Sequence, residues 1–253
     1  MKILSFLITA AFLALFAHCG SNVEETGEKK PELSLRSSYM RDSAATVDTL
    51  DLVFYLPVNA KAGITTTRPL KGDSNVVLVC AAAFTLLENN AIDGLFIDSG
   101  AVKVKWVNHS LGGGIVIPHT ANATATIFGT DMGNALDSTF KDSVAAMHAS
   151  FFQQIQLVRD GQALRFQKEF SKFQRRALCV WHGELVVVES VRPCTMQKFA
   201  NVLKSCGIQN ALYVDMGSWD EGWYRNQKGE LISIGLMKNE TDRQSNWFVF
   251  RAR

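Results

Sequence analysis

The sequence predicts a single α+β domain, with a mixed or largely antiparallel sheet and a few helices. Three observations predict it. Short apolar runs recur from Val47 to Phe250, polar triplets containing glycine separate several of them, and only one segment has helical periodicity. Strands and helices do not alternate, which excludes a doubly wound parallel sheet.

Taken in order, residues 47–56 (VDTLDLVFYL) open the domain as a strand. Residues 76–84 (VVLVCAAAF) lack polar alternation, as expected of a strand buried on both faces. Residues 95–97 and 102–107 flank Asp98-Ser99-Gly100, a hairpin signal. Gly112-Gly113-Gly114 lacks the lysine and helix of a phosphate-binding loop and is expected to be a plain turn. Residues 115–117 and 124–128 are short strands. Two more hairpins are expected at Arg159-Asp160-Gly161 and His182-Gly183-Glu184. Thr195 then caps a helix whose Met196, Phe199, Ala200 and Leu203 recur at helical spacing, and Gly207 stops it. Residues 211–214, 231–234 and 247–250 complete the strands, with 215–222 as a loop.

The N-terminus reads as an export signal. Met1-Lys2 is followed by an apolar run to Ala17, the length of a signal-peptide core and shorter than the ~20 residues of a membrane span. Cys19 stands directly behind it, similar to the lipobox of bacterial lipoproteins, although His18 occupies a place that usually holds a small residue. Ordinary cleavage nearby, with Cys19 lost or left free, is the alternative. Residues 1–19 are therefore expected to be a signal peptide with a lipidated Cys19, 20–38 a polar tether, and 39–253 the domain. The expected location is the bacterial cell envelope, with membrane attachment only through the lipid anchor. A net charge of +2 without a basic block excludes a nucleic-acid partner.

The four remaining cysteines form no CxxC pair, so no metal centre is expected. Cys194 and Cys206 flank the helix, which separates them by about 18 Å, beyond the ~7 Å reach of a disulfide. Cys80 and Cys179 lie in apolar runs, and all four are expected to be free thiols.

The segment 213–225 (YVDMGSWDEGWYR) carries the densest functional signal. Carboxylates beside aromatics hold sugars: rings stack on apolar sugar faces, and acids bind hydroxyls or transfer protons. Asp215, Asp220 and Glu221 are the catalytic candidates, and Ser218, Trp219, Trp223 and Arg225 the binding candidates. A capped turn with its aromatics folded into the core would have the same composition. Arg175 and Arg176 are candidates for a bidentate phosphate clamp, but strand alternation lets only one of them face a site.

Helix 195–206 followed by GIQNALYVDMGS resembles the C-terminal signature of the phosphodiester glycosidase family: a helix, a glycine, an Asn-Ala-Leu strand, then Asp-Gly-Gly-Gly-Ser. Arg175-Arg176-Ala177 is similar to that family's Arg-Thr-Ala. Phe151-Phe152 with Leu157-Val158-Arg159-Asp160-Gly161 resembles its middle hairpin, and residues 79–84 resemble its first motif, Asn-x-x-Phe at a strand end. The order runs through residues 76–253. The resemblance implies hydrolysis of a sugar 1-phosphodiester or related glycan without a cofactor. Arg175 or Arg176 would hold the phosphate, Asp215 would position the sugar or stabilise positive charge at the anomeric carbon, and Asp220 or Glu221 would activate water. Ala81 stands where the family has Asn, and Met216 where it has the first Gly after the Asp. These departures motivate the alternative, a glycan-binding lipoprotein that kept the fold without the chemistry.

Overall fold

The computed structural model describes residues 36–120, 124–167 and 171–253. The signal segment, Cys19 and nearly all of the tether lie outside the described residues. Residues 34–253 form one compact unit.

The strands are β1 (Tyr39–Val47), β2 (Leu50–Val58), β3 (Ala60–Thr65), β4 (Val76–Ala81), β5 (Phe96–Asp98), β6 (Ala101–Val104), β7 (Gly113–Ile117), β8 (Thr126–Gly129), β9 (Ser150–Gln154), β10 (Gln156–Arg159), β11 (Gln162–Ala163), β12 (Arg176–Trp181), β13 (Glu184–Ser190), β14 (Asn210–Tyr213), β15 (Gly222–Arg225), β16 (Leu231–Ile234) and β17 (Trp247–Ala252). Helix α1 (Ser138–Ala146) precedes β9, and α2 (Met196–Ser205) lies between β13 and β14. With two α-helices against this many strands among the described residues, the domain is more β than the expected α+β class. Every strand pairing is antiparallel.

Three sheets result. Sheet 1 has the order β1-β2-β13-β12-β14-β10-β11, sheet 2 β16-β15-β4-β17-β3, and sheet 3 β6-β5-β9-β7-β8. The three expected hairpins form, with positive φ at both turn residues: Ser99-Gly100 (51° and 82°), Asp160-Gly161 (48° and 72°) and His182-Gly183 (50° and 81°). This handedness matches the twist of the flanking strands. A fourth hairpin replaces the single strand expected over 47–56. Asp48 and Thr49 adopt φ of 46° and 66° and join β1 to β2. Thr49 is β-branched and disfavours positive φ, so no turn signal marks this position.

The interiors of β12 and β13 are apolar because sheet 1 is covered on both faces. Leu178, Val187 and Leu212 meet Leu78 and Phe248 of sheet 2 and Phe96 and Ile115 of sheet 3 in the largest core cluster. Ala177, Cys179, Val186, Val188 and Ala211 face the other way, onto Phe199, Ala200 and Leu203 of α2. Each fully buried large side chain of this kind contributes about 1.5–3 kcal/mol. Helix α2 starts where its sequence places it, with the Thr195 hydroxyl accepting from Lys198 N. Helix α1 was not legible: it buries only Val144, so it carries almost no apolar stripe. Among the described residues, Cys80, Cys179, Cys194 and Cys206 are joined by no disulfide.

The glycine run is not a plain turn. Gly113 and Gly114 lie within β7, where a Cβ at 113 would sit 2.7 Å from Gln156 Cβ and 2.8 Å from Leu212 Cδ1, and one at 114 would sit 2.5 Å from the Phe151 ring. The missing side chains let sheet 3 approach β10 and β14. Gly113→Ala is therefore expected to overpack this contact and destabilise the fold by about 1–3 kcal/mol. Urea unfolding should show a lower midpoint at unchanged slope; an unchanged midpoint would contradict the packing described.

Candidate active site

Strand β14 lies beside β12, with Tyr213 opposite Ala177. The chain then leaves sheet 1: Val214 N donates to Arg176 O (3.2 Å), and Asp215 N donates to Ala82 O at the end of β4 (3.0 Å). Residues 215–220 thus cross from sheet 1 to sheet 2, carrying two carboxylates into the junction.

Asp215 is 4% exposed. Its Oδ2 accepts from Trp219 Nε1 (2.7 Å) and from Thr85 N (3.0 Å). Burial pushes the Asp215 carboxyl up to about 7, against the Trp219 and Thr85 bonds that favour the anion, and the nearby Asp220 charge adds to the rise. Burial, rather than a neighbouring guanidinium, sets this value. Trp219 is held in turn: the Arg243 guanidinium carbon lies 6.0 Å from its ring centroid, and Gly217 runs against the indole so closely that a Cβ there would fall 2.2 Å from it. Gly217 therefore has no room for a side chain.

Asp220 is 1% exposed and fully engaged. Its Oδ1 accepts from Ala81 N (3.0 Å) and its Oδ2 from Arg176 Nη1 (2.7 Å). Arg176, with no exposed surface, also bonds through Nε to Glu189 Oε2 (2.6 Å), its direct partner across the β12–β13 ladder. Burial opposes the Arg176 charge, but the Asp220 and Glu189 carboxylates outweigh it and hold its pKa well above the ordinary value. Gln174 Nε2 and Gly235 N donate to the other Glu189 oxygen. Arg176 is therefore a buried tie between sheets, its charge faced by two carboxylates.

The other candidates separate. Arg175 is buried on the opposite side of the strand, its Nε donating to Cys194 O (3.3 Å) and its guanidinium carbon 5.7 Å from the Tyr213 ring. Glu221 is paired with Arg68 (2.7 Å) and Lys71 (3.7 Å). Ser218 bonds to Glu240. Trp223 is not at a rim: it lies in β15, 2% exposed, packed with Val76, Val79, Trp247 and Val249. Arg225 covers the Trp223 ring and donates to Gly229 O and Lys71 O. Trp223 and Arg225 are strand residues of β15, which explains their burial.

Two residues that the sequence did not mark complete the surroundings. Asn246, fully buried, accepts from Ala83 N (2.7 Å) and donates to Ala83 O (3.2 Å), fixing the chain between β4 and Thr85. Arg243 holds the 86–90 loop through Leu87 O and Asn90 Oδ1 while lying over Trp219. Both come from the polar stretch 236–246, which has no periodicity or motif to single them out. A cavity of about 400 Å³ opens elsewhere, among Thr49, Lys172, Arg192, Thr195 and Lys198. Among the described residues no group of His, Cys, Asp or Glu is arranged to hold a metal ion.

No family model matches the sequence, and no curated protein matches it. Solved structures do match the fold. The catalytic domain of zebrafish N-acetylglucosamine-1-phosphodiester alpha-N-acetylglucosaminidase, auto-inhibited by its pro-peptide, superposes with a TM-score of 0.56 at 13% identity, over 87% of this chain and 84% of that one. A hypothetical protein from Synechocystis superposes with a TM-score of 0.56 at 11% identity, over 85% of this chain and 62% of that one. At these identities the likeness is one of fold: the chain shares, distantly, the architecture of a glycosidase catalytic domain.

Proposed function

We propose that this chain is a glycoside hydrolase acting on a sugar 1-phosphodiester or a related glycan, with Asp215 as its proton-transfer group. The observation that carries this reading is Asp215 itself. It is a carboxyl held by an indole N–H and a backbone N–H, with burial raising its pKa to about 7, in a fold resembling a glycosidase catalytic domain. A general base works best when its pKa lies near the working pH. In the proposed reaction water attacks the anomeric carbon, and the bond from that carbon to the phosphate oxygen breaks, its electron pair leaving with the phosphate. The Asp215 carboxylate takes the proton from water. The leaving phosphate is acidic enough to depart without prior protonation, so it calls for a cation, and Arg243 above Trp219 supplies one. Asp220 is buried and bonded to Arg176 and to Ala81 N; it fixes the loop and raises the Asp215 pKa. The setting we propose is the cell envelope, on the strength of the apolar run before Cys19.

A second reading, glycan binding without turnover, draws support from the near-complete burial of Asp215 and from Ala81 at the family's Asn position. Hydrolysis of a panel of sugar 1-phosphodiesters separates the two: glycan retention with no turnover across the panel favours binding alone.

On the first reading Asp215→Asn abolishes hydrolysis while circular dichroism stays native, and Arg243→Ala lowers kcat/KM by about ten- to a hundred-fold. Wild-type kcat/KM should rise with pH through about 7 as Asp215 ionises; a flat profile between pH 5 and 8 contradicts Asp215 as the base. Stability should move the opposite way. Unfolded Asp215 ionises near 3.8 and folded Asp215 near 7, so the folded state holds the extra proton between these values, and stability falls as pH rises across that window. Thermal melts of Asp215→Asn and wild type should therefore diverge from pH 5 to pH 8 in favour of the variant; parallel curves would mean that burial does not raise this pKa.

A further inference from the structure

Of the five tryptophans, Trp106 alone is left largely in water, 59% exposed. It is nevertheless held in place. Its Nε1 donates to Asp93 Oδ1 (3.2 Å), and Asn108 Nδ2 donates to Asp93 Oδ2 (2.8 Å). The loop that carries both residues is pinned from beneath by Gln153, which has no exposed surface. Gln153 Oε1 accepts from Asn108 N (3.1 Å) and Leu95 N (2.8 Å), and its Nε2 donates to Asn108 O (3.1 Å). An exposed indole forfeits the free energy of burying its ring, and here a buried side chain and a carboxylate hold it in that position.

The geometry points to a function for this arrangement. We propose that Trp106, Asp93 and Asn108 form a subsite for a second sugar ring, so that the substrate is a glycan of at least two sugar units rather than a single sugar phosphate. This rests on the reading of Asp215 given above. A ring with only two side-chain torsions offers a rigid apolar platform at little entropic cost. Each Asp93 oxygen accepts one bond from the protein and keeps a lone pair for a hydroxyl. The subsite is tied to the candidate active site through the backbone. Asp93 N donates to Phe84 O (2.8 Å), and Thr85 pairs with Ile92 and donates to Asp215. One strand spacing, about 5 Å, therefore separates the backbone beside Asp93 from the backbone that holds Asp215.

The test applies wild type, Trp106→Ala, Trp106→Phe and Asp215→Asn to a glycan array carrying neutral and phosphorylated mono- to tetrasaccharides. Thermal melts of the same four proteins check the fold. Wild type should retain oligosaccharides over the matching monosaccharides. Trp106→Ala should lose that preference, binding about ten-fold more weakly, while Trp106→Phe keeps most of it. Equal binding by Trp106→Ala and wild type, or no sugar retained by wild type, overturns the subsite. If Trp106→Ala binds normally while Asp215→Asn abolishes 1-phosphodiester hydrolysis, the subsite fails and the Asp215 reading stands. If Trp106→Ala loses oligosaccharides while Asp215→Asn still hydrolyses, Asp215 fails and the sugar-binding surface stands.

Discussion

The junction of sheets 1 and 2 depends on the buried guanidinium of Arg176. Glu189 meets it from the neighbouring strand of sheet 1, and Asp220 meets it from the loop that enters sheet 2. A buried charge is tolerable only when paired and hydrogen-bonded, and removing one partner of such a pair costs about 3–5 kcal/mol. The tie therefore tolerates little change. It fixes Asp220, and through the short chain between them it also fixes Trp219 and Asp215.

This constraint shapes the chemistry available to the site. With Arg176 faced by two carboxylates, burial is the largest influence on the ionisation of Asp215. The site thus separates two carboxylates five positions apart in sequence by environment: Asp220 is paired and structural, and Asp215 is desolvated and able to exchange a proton near neutrality. Their environments differ, the arrangement by which carboxylate pairs divide their roles.

Much of the framework was legible in residues with a single physical meaning. Glycines at 100, 161 and 183 marked hairpins because their turns need positive φ, and Thr195 marked a helix start because its hydroxyl replaces a missing backbone partner. Where a residue had two readings, sequence alone did not choose. Gly113 and Gly114 serve close packing rather than a turn, and Trp223 and Arg225 fill the outside of sheet 2 rather than a sugar site. The adjacent arginines went to opposite faces, as alternation requires, but nothing local indicated that Arg176 would find its two carboxylates 13 and 44 positions downstream. Arg243 and Asn246 depend on contacts with the far end of β4, which no local pattern records.

The strand order of sheet 2 also bears on how the chain reaches this structure. Strand β4 lies between β15 and β17, both far downstream of it, and β17 in turn separates β4 from β3. During synthesis β4, an unbroken apolar strand, emerges long before either of its neighbours exists. Pairings between such distant segments are slow to close, and unpaired strand edges invite association with other chains in the interval. The junction that carries Asp215 and Asp220 is therefore among the last parts of the molecule to assemble, and a nascent chain has to keep β4 soluble until residues near 250 arrive.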